Sequence, residues 1–291
     1  MKPKLSVVLA TRNEEENIAK CLESVKDIAW EIVIFDEYST DRTTEIARKF
    51  GARVFLTKHE PIFHKTKQKA LEKARGDWIL QLDADEVVSR KLGKEIIKVI
   101  NQKDEEILGR KIKNKRLHSL LTEHLEKIQK RSGKIGDDSK EIAAFMIPRK
   151  NYFLGRPIIH AGVYPDGVIR LVKKGKAHFP AKSVHEQIEV DGKVCFLYSD
   201  LEHYDSPTFS KYFSRFNRYT NLHADYLRDK NTPSNYFYLF YFSFIKPFFN
   251  FLNLYIRHKG FLDGFRGFLW SLFSSLHFPV SYFKYWEKYN R

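Results

Sequence analysis

Four short apolar runs, each followed by a stretch of helical period, occupy residues 5–83 and leave this chain few ways to fold. LSVVLAT (5–11), EIVIFD (31–36), ARVFLT (52–57) and DWILQLD (77–83) are short, β-branched and almost continuously apolar, as strands buried on both faces are. NEEENIAKCLESVK (13–26) places Ile18, Leu22 and Val25 on one helical face, with Asn13 as the expected N-cap and acids in the first turn. STDRTTEIARKFG (39–51) and KTKQKALEKARG (65–76) predict two more helices, stopped at Gly51 and Gly76. Parallel neighbours need crossover connections of about this length, so the alternation predicts a doubly wound, mostly parallel α/β sheet. Such sheets bind ligands beyond the carboxyl ends of their strands, where Asp36 and Asp83 are expected.

The last of these runs continues as WILQLDADEVVS (78–89), which places Asp83, Asp85 and Glu86 within four positions of a chain with net charge +15. Alternate side chains of an extended segment point the same way, so Asp83 and Asp85 can converge across Ala84. Two carboxylates of this kind suit Mg²⁺ or Mn²⁺ shared with substrate phosphates. The competing reading is a turn or helix cap, and Glu86 is expected to support the following helix.

Residues 101–141 are densely charged and weakly amphipathic, which predicts a solvated helical excursion. Short strands and turns are expected over 142–204. From 206 onward the character changes, with twelve Lys or Arg against four Asp or Glu among many aromatics. NYFYLFYFSFIKPFFNFLNLYI (235–256) is long enough to span a bilayer, but Lys246-Pro247 at its centre disfavours a straight span. The excess of positive charge suits helices lying in an anionic membrane interface, the alternative being a helical subdomain that packs its aromatics inward. The division expected is therefore a catalytic domain over 1–205 and a basic, aromatic-rich helical region over 206–291. Cys21 and Cys195 lie far apart without metal-ligand spacing and read as reduced thiols. The N-terminus lacks the pattern of a secretory signal.

SVVLATRNEEENIAKCLESV, EIVIFDEYSTDRTTEIARKFGARV and KARGDWILQLDADE, in this order, resemble the catalytic domain of glycosyltransferase family 2, of GT-A fold. The second-half segments IPRKNYFLGRPIIHAG, RLVKKG and SVHEQIEVDG look like the branch containing bacterial lipopolysaccharide-core glucosyltransferases. The resemblance implies that Asp36 accepts a hydrogen bond from the nucleotide base, uracil or guanine. Thr11 and Arg12 fall where the family contacts nucleotide, and Arg12 reads equally as a surface residue. Asp83 would touch ribose or metal, and Asp85 would coordinate the metal holding the diphosphate. Gln68 stands where family members commonly carry Asn. Arg170 and Lys173 could bind diphosphate or an anionic acceptor, or form an ordinary basic strand end.

An inverting transfer also needs a base for the acceptor hydroxyl. Glu186 in SVHEQIEV matches the acid of the family's second-half motif. Asp166 in YPDGVIRL is the rival, although Pro-Asp-Gly reads first as a turn. His185 either orients the acceptor or packs. The expectation is a metal-dependent, inverting transferase at the cytoplasmic face of a membrane, peripherally bound. It would move a sugar, a UDP-hexose being favoured, onto a lipid-linked saccharide such as lipopolysaccharide core. Transfer to polyprenyl phosphate is the nearby alternative. A basic nucleic-acid-binding protein is the alternative of another class, opposed by the absence of a recognisable RNA motif, zinc spacing or helix-turn-helix.

Overall fold

The computed structural model describes residues 2–132, 135–180 and 188–289. All four apolar runs are strands: β1 (Leu5–Thr11), β2 (Glu31–Asp36), β3 (Arg53–Leu56) and β4 (Trp78–Leu82). Every residue of β1 and β4 is buried, as strands covered on both faces require. Between them run α1 (Ile18–Val25), α2 (Thr43–Lys49) and α3 (His64–Lys73). β1 lies between β2 and β4, and β2 carries β3, all parallel.

Two local expectations need correction. Asn13 is not a helix cap, since α1 begins at Ile18. Its backbone is left-handed, with φ of 54°, and its side-chain oxygen accepts from the Thr40 amide at 2.8 Å, tying the first loop to the second. Gly76 does not terminate α3 either, because the helix ends at Lys73 and Ala74 is extended. A Cβ at Gly76 would lie 2.6 Å from the Lys4 carbonyl oxygen, so close approach to β1 excludes a side chain there. Gly51 does stop its helix, with φ of 74°.

Next come β5 (Glu86–Val88), α4 (Arg90–Ile100), α5 (Asp104–Leu108) and α6 (Lys115–Ser132). Glu86 is not the cap of α4, a role that falls to Ser89, whose hydroxyl accepts from the Leu92 amide. The charged stretch 101–141 is more than a solvated excursion, because Ile107, Leu117, Leu121 and Ile128 are buried beneath its charged face.

The second half supplies β6 (Ile142–Phe153), β7 (Arg156–Pro157), β8 (Asp166–Lys173), β9 (Ala177–His178), β10 (Glu189–Val190), β11 (Lys193–Phe196) and β12 (Leu201–Ser206). The main sheet runs β3-β2-β1-β4-β8-β6-β12-β5, and β8 joins β4 antiparallel. The parallel expectation therefore holds for the N-terminal strands, and the sheet becomes mixed where β8, β6 and β12 enter. Leu5, Val7, Leu9, Ile18, Leu22, Leu80, Leu92, Phe145 and Leu171 belong to one continuous core. Each such side chain contributes about 1.5–3 kcal/mol on burial.

Two compact units divide the chain: Met1–Arg149 with Pro165–His203, and Lys150–Tyr164 with Tyr204–Arg291. The second holds α7 (Phe209–Asp229), α8 (Tyr236–Phe240), α9 (Lys246–Leu252) and α10 (Gly264–Tyr289). π-helical turns over Tyr241–Ile245 and Asn253–Arg257 flank α9. Pro247 sits just after the first of these, where the widened register accommodates its missing amide hydrogen. Among the described residues no helix is long and apolar enough to cross a membrane. Asp263, which interrupts the apolar pattern, accepts from the Ile159 and His160 amides at 3.1 and 2.8 Å and so anchors that loop within the unit.

Glu31, nearly buried at the start of β2, accepts from Ser6 Oγ, the Arg75 amide and the Arg53 guanidinium at 2.7, 2.6 and 2.7 Å. Burial opposes its charge, but these hydrogen bonds outweigh it and hold the carboxyl at about 2. A folded value below the unfolded one makes this a stabilisation present above about pH 4.3 and lost as pH falls towards 2. Glu31→Gln is expected to cost about 2 kcal/mol in urea unfolding at pH 7. The cost should shrink with acidification over that window, and equal stability at pH 7 would show the clamp to be inert.

Candidate active site

β1 and β2 are in register with Thr11 opposite Asp36, so both side chains reach the carboxyl edge together. Thr11 Oγ1 donates to Asp36 Oδ2 at 2.8 Å, and Ser39 adds bonds from its amide (2.7 Å) and hydroxyl (2.6 Å). A carboxylate has about four acceptor positions, so these three bonds leave the buried Asp36 one more. Arg12 is exposed at the same strand end. Glu37, which the sequence did not single out, is 2% exposed. It accepts from Thr66 Oγ1 at 2.5 Å and lies 2.6 Å from His59 Nδ1, fixing the loop behind Asp36.

Asp83 emerges one residue beyond β4 into a network of opposed charges. Lys67 Nζ lies 2.6 Å from its Oδ1, and the Arg170 guanidinium 2.5 Å from its Oδ2. Arg170 also donates to Glu86 at 2.7 Å and to Gln81. Arg149 continues the chain, 3.3 Å from Glu86 and 2.6 Å from Asp166. Glu86 is fully buried and accepts from the Asp83 amide at 3.0 Å, closing the Asp-Ala-Asp-Glu turn on itself. Burial would raise the Asp83 carboxyl, but Arg170 and Lys67 hold it well below the usual range. Burial lowers the Lys67 ammonium, which Asp83 only partly restores. Arg170 is pushed up because Asp83 and Glu86 outweigh the burial that opposes its charge.

This arrangement gives several of the expected site residues protein partners. Arg170 is 7% exposed and its guanidinium serves as counter-ion to Asp83 and Glu86. Lys173 instead pairs with Glu141 at 3.3 Å. Asp83 has a cation on each oxygen, which leaves a metal little to neutralise there. Lys67 was missed: it sits beside the Gln68 that drew attention, and nothing local marks it as buried. Gln68 accepts from the Phe179 amide at 2.9 Å and donates to Glu72 at 2.8 Å, so both ends of its amide tether protein segments. Asp166 opens β8 opposite Arg149 rather than forming a turn, and its Oδ2 accepts from Arg149 Nε and Nη2. Glu186 and His185 lie outside the described residues.

Asp85 has a different neighbour. His203 of β12 places Nε2 3.4 Å from Asp85 Oδ2, because β12 pairs antiparallel with β5 and His203 stands opposite Glu86. An imidazole and a carboxylate so placed form a two-donor set. A hard divalent cation that also binds substrate phosphates needs no more than one or two protein donors of this kind. No group of three or more His, Cys, Asp or Glu side chains placed to hold a metal occurs among the described residues. Asp85 and His203 are the side chains here that could hold Mg²⁺ or Mn²⁺ together with substrate phosphates, while both oxygens of Asp83 meet cations of the protein.

Known proteins share this sequence pattern. The chain is similar to the lipopolysaccharide core biosynthesis glycosyltransferase LpsC of Rhizobium meliloti, 26% identical over 98% of this chain and 93% of that protein. An uncharacterized glycosyltransferase of Rickettsia typhi is 39% identical over 95 residues, so the match spans about a third (32%) of either chain. Among solved structures, Mycobacterium tuberculosis glucosyl-3-phosphoglycerate synthase with Mn²⁺, UDP-glucose and phosphoglyceric acid is 27% identical, covering 29% of this chain and 34% of that one with a TM-score of 0.27. Staphylococcus aureus TarS 1–349 is 15% identical over 99% of this chain and 91% of that one with a TM-score of 0.39. Superpositions this loose place no residue of the site. The sequence model described as Glycosyl transferase family 2 matches residues 6–159, more than half of the 291. With strands, carboxyl-edge acids and Asp-Ala-Asp turn in that order, this chain belongs to glycosyl transferase family 2, and its catalytic domain is of GT-A type.

Proposed function

We propose that the protein is an inverting, metal-dependent glycosyltransferase that takes a sugar from a nucleoside diphosphate donor, a UDP-hexose, and delivers it to a hydroxyl of a lipid-linked saccharide. The observation that carries this reading is the separation of the two aspartates, Asp83 neutralised from within and Asp85 set beside His203. A divalent cation held there would supply positive charge to the diphosphate of the donor. Asp36, with Thr11 and Ser39 orienting it, offers its remaining acceptor position to an N–H of the base, as uracil N3–H requires. Arg12 lies exposed at the same edge for the nucleotide.

In the transfer, the acceptor oxygen forms a bond to the anomeric carbon as the bond from that carbon to the diphosphate breaks. The hydroxyl proton passes to a carboxylate, and the nucleoside diphosphate leaves with the electron pair. Glu186 is the base in this reading, on the strength of its motif. Asp166 is the weaker candidate because Arg149 already occupies it.

Likeness to LpsC along nearly its whole length supports lipopolysaccharide core as the acceptor. Peripheral work at a membrane surface is supported by the second unit, and its placement on the cytoplasmic side is part of this reading. Tyr236, Phe237, Phe240, Phe244 and Phe248 recur at helical spacing and are all exposed, Tyr236 to 90% and Phe237 to 73%. An apolar face of this extent beside basic residues suits an anionic bilayer surface.

Calorimetric titration of UDP, GDP, ADP and CMP, with and without Mn²⁺, tests the donor site. UDP is expected to bind at least about tenfold tighter than the others, and only with metal. Preference for another nucleotide would overturn the donor, and no binding to the folded protein would overturn the transferase reading.

A further inference from the structure

In the second unit, three basic groups gather without an acid. Lys246 Nζ lies 4.6 Å from the ring centre of Phe242 and 4.4 Å from that of Phe278. The imidazoles of His223 on α7 and His277 on α10 stack with centroids 4.9 Å apart, and both lie near Phe278, at 6.2 and 6.0 Å. His223 Nδ1 is buried without a hydrogen-bond partner. Lys246 makes no ion pair among the described residues; its neighbours are aromatic faces. The charges that act on the two histidines are Lys246 and Lys284, both positive. Asp225, two positions along α7 from His223, is taken by Lys288 at 2.7 Å and by Tyr289.

Half-burying an ammonium beside two imidazoles is costly unless an anion offsets it. An ammonium with adjacent imidazole N–H groups is a donor set for a phosphate oxygen cluster. α9, which opens at Lys246, carries the exposed Phe248 and Phe249, and the π-helical turn before it carries the exposed Phe244, so an anion reaching this cluster would come from the surface that the aromatic face meets.

We infer that Lys246, His223 and His277 form a phosphate-binding site on the C-terminal unit, which takes the phosphate of a lipid lying against the aromatic face. The lipid as source rests on the membrane-surface reading above; the site itself does not. The aromatic face provides depth of insertion, and the basic cluster selects phosphate from among anionic groups. Because the empty cluster disfavours charge, occupancy draws a proton to the imidazoles. Burial, with His223, Lys246 and Lys284 nearby, holds His277 down at about 4, and a bound phosphate should raise it.

The full chain should be tested against vesicles of phosphatidylcholine made anionic with phosphatidic acid or, at matched surface charge, with oleate. Binding to phosphatidic acid vesicles is expected to be about tenfold tighter. Lys246→Met and His277→Asn should each abolish that preference while leaving binding to oleate vesicles, and Lys246→Arg should retain it. Equal affinity for both vesicles, or a preference that survives Lys246→Met, would overturn the site. Soluble dihexanoyl phosphatidic acid, followed through the histidine NMR signals, reads the site without any membrane. An upward shift of the His277 titration there would sustain the site even if vesicle binding failed, and no shift would overturn it. Inorganic phosphate producing the same shift would sustain the site and assign it to free phosphate rather than to lipid.

Discussion

Replacing Asp85 by alanine is expected to lower sugar transfer by about a thousandfold or more with the thermal midpoint almost unchanged. The side chain is 19% exposed and lies 3.4 Å from the His203 imidazole. His203→Ala should fall by a similar factor, since it removes the other donor. Both variants should lose Mn²⁺ binding, measured by electron paramagnetic resonance in the presence of UDP. Asp83→Asn separates the two aspartates: it is expected to reduce stability, by leaving Lys67 and Arg170 underneutralised, yet keep measurable Mn²⁺ binding. Full turnover in Asp85→Ala would end the assignment of this acid to the metal.

Arg170→Met should be the most destabilising change in the site, by about 3–5 kcal/mol in urea unfolding at pH 7. It leaves Asp83 with Lys67 alone, and leaves Glu86, with no exposure to water, with Arg149 at 3.3 Å and the Asp83 amide at 3.0 Å. The pH dependence has a definite sign. Asp83 is held well below its usual range, so the stabilisation it provides is present above about pH 3.9 and lost as pH falls below. In Arg170→Met that acid-side loss should diminish, because the partner that favours the charged form is gone. Adding Glu86→Gln to Arg170→Met should recover part of the loss. A cost below about 1 kcal/mol would show that solvent, rather than Arg170, satisfies the two acids.

These two residues also mark where reading the sequence succeeded and where it stopped. β1 to β4 were legible because a strand covered on both faces must be apolar at nearly every position, and that run is local. The placement of Asp36 and Asp83 at the carboxyl edge followed from the crossover rule, which needs only the order of elements. Asn13 and Gly76 were misread because their reasons are tertiary: one bonds the amide of Thr40, and the other makes room for the Lys4 carbonyl. The charged stretch 101–141 hid its buried face, since Ile107, Leu117, Leu121 and Ile128 are sparse among lysines and acids.

The sequence by itself determined the α/β alternation, the acids at its edge and the family. Only the tertiary structure decided which acid is held by internal cations and which stands beside His203. Arg170 meets Asp83 across 87 residues, and Lys67 comes from a helix before β4. Asp85 meets His203 only because β12 returns antiparallel to β5. Charge pairing depends on distances of a few ångströms between segments remote in sequence, and no local pattern of residues encodes which cation will fold against which carboxylate.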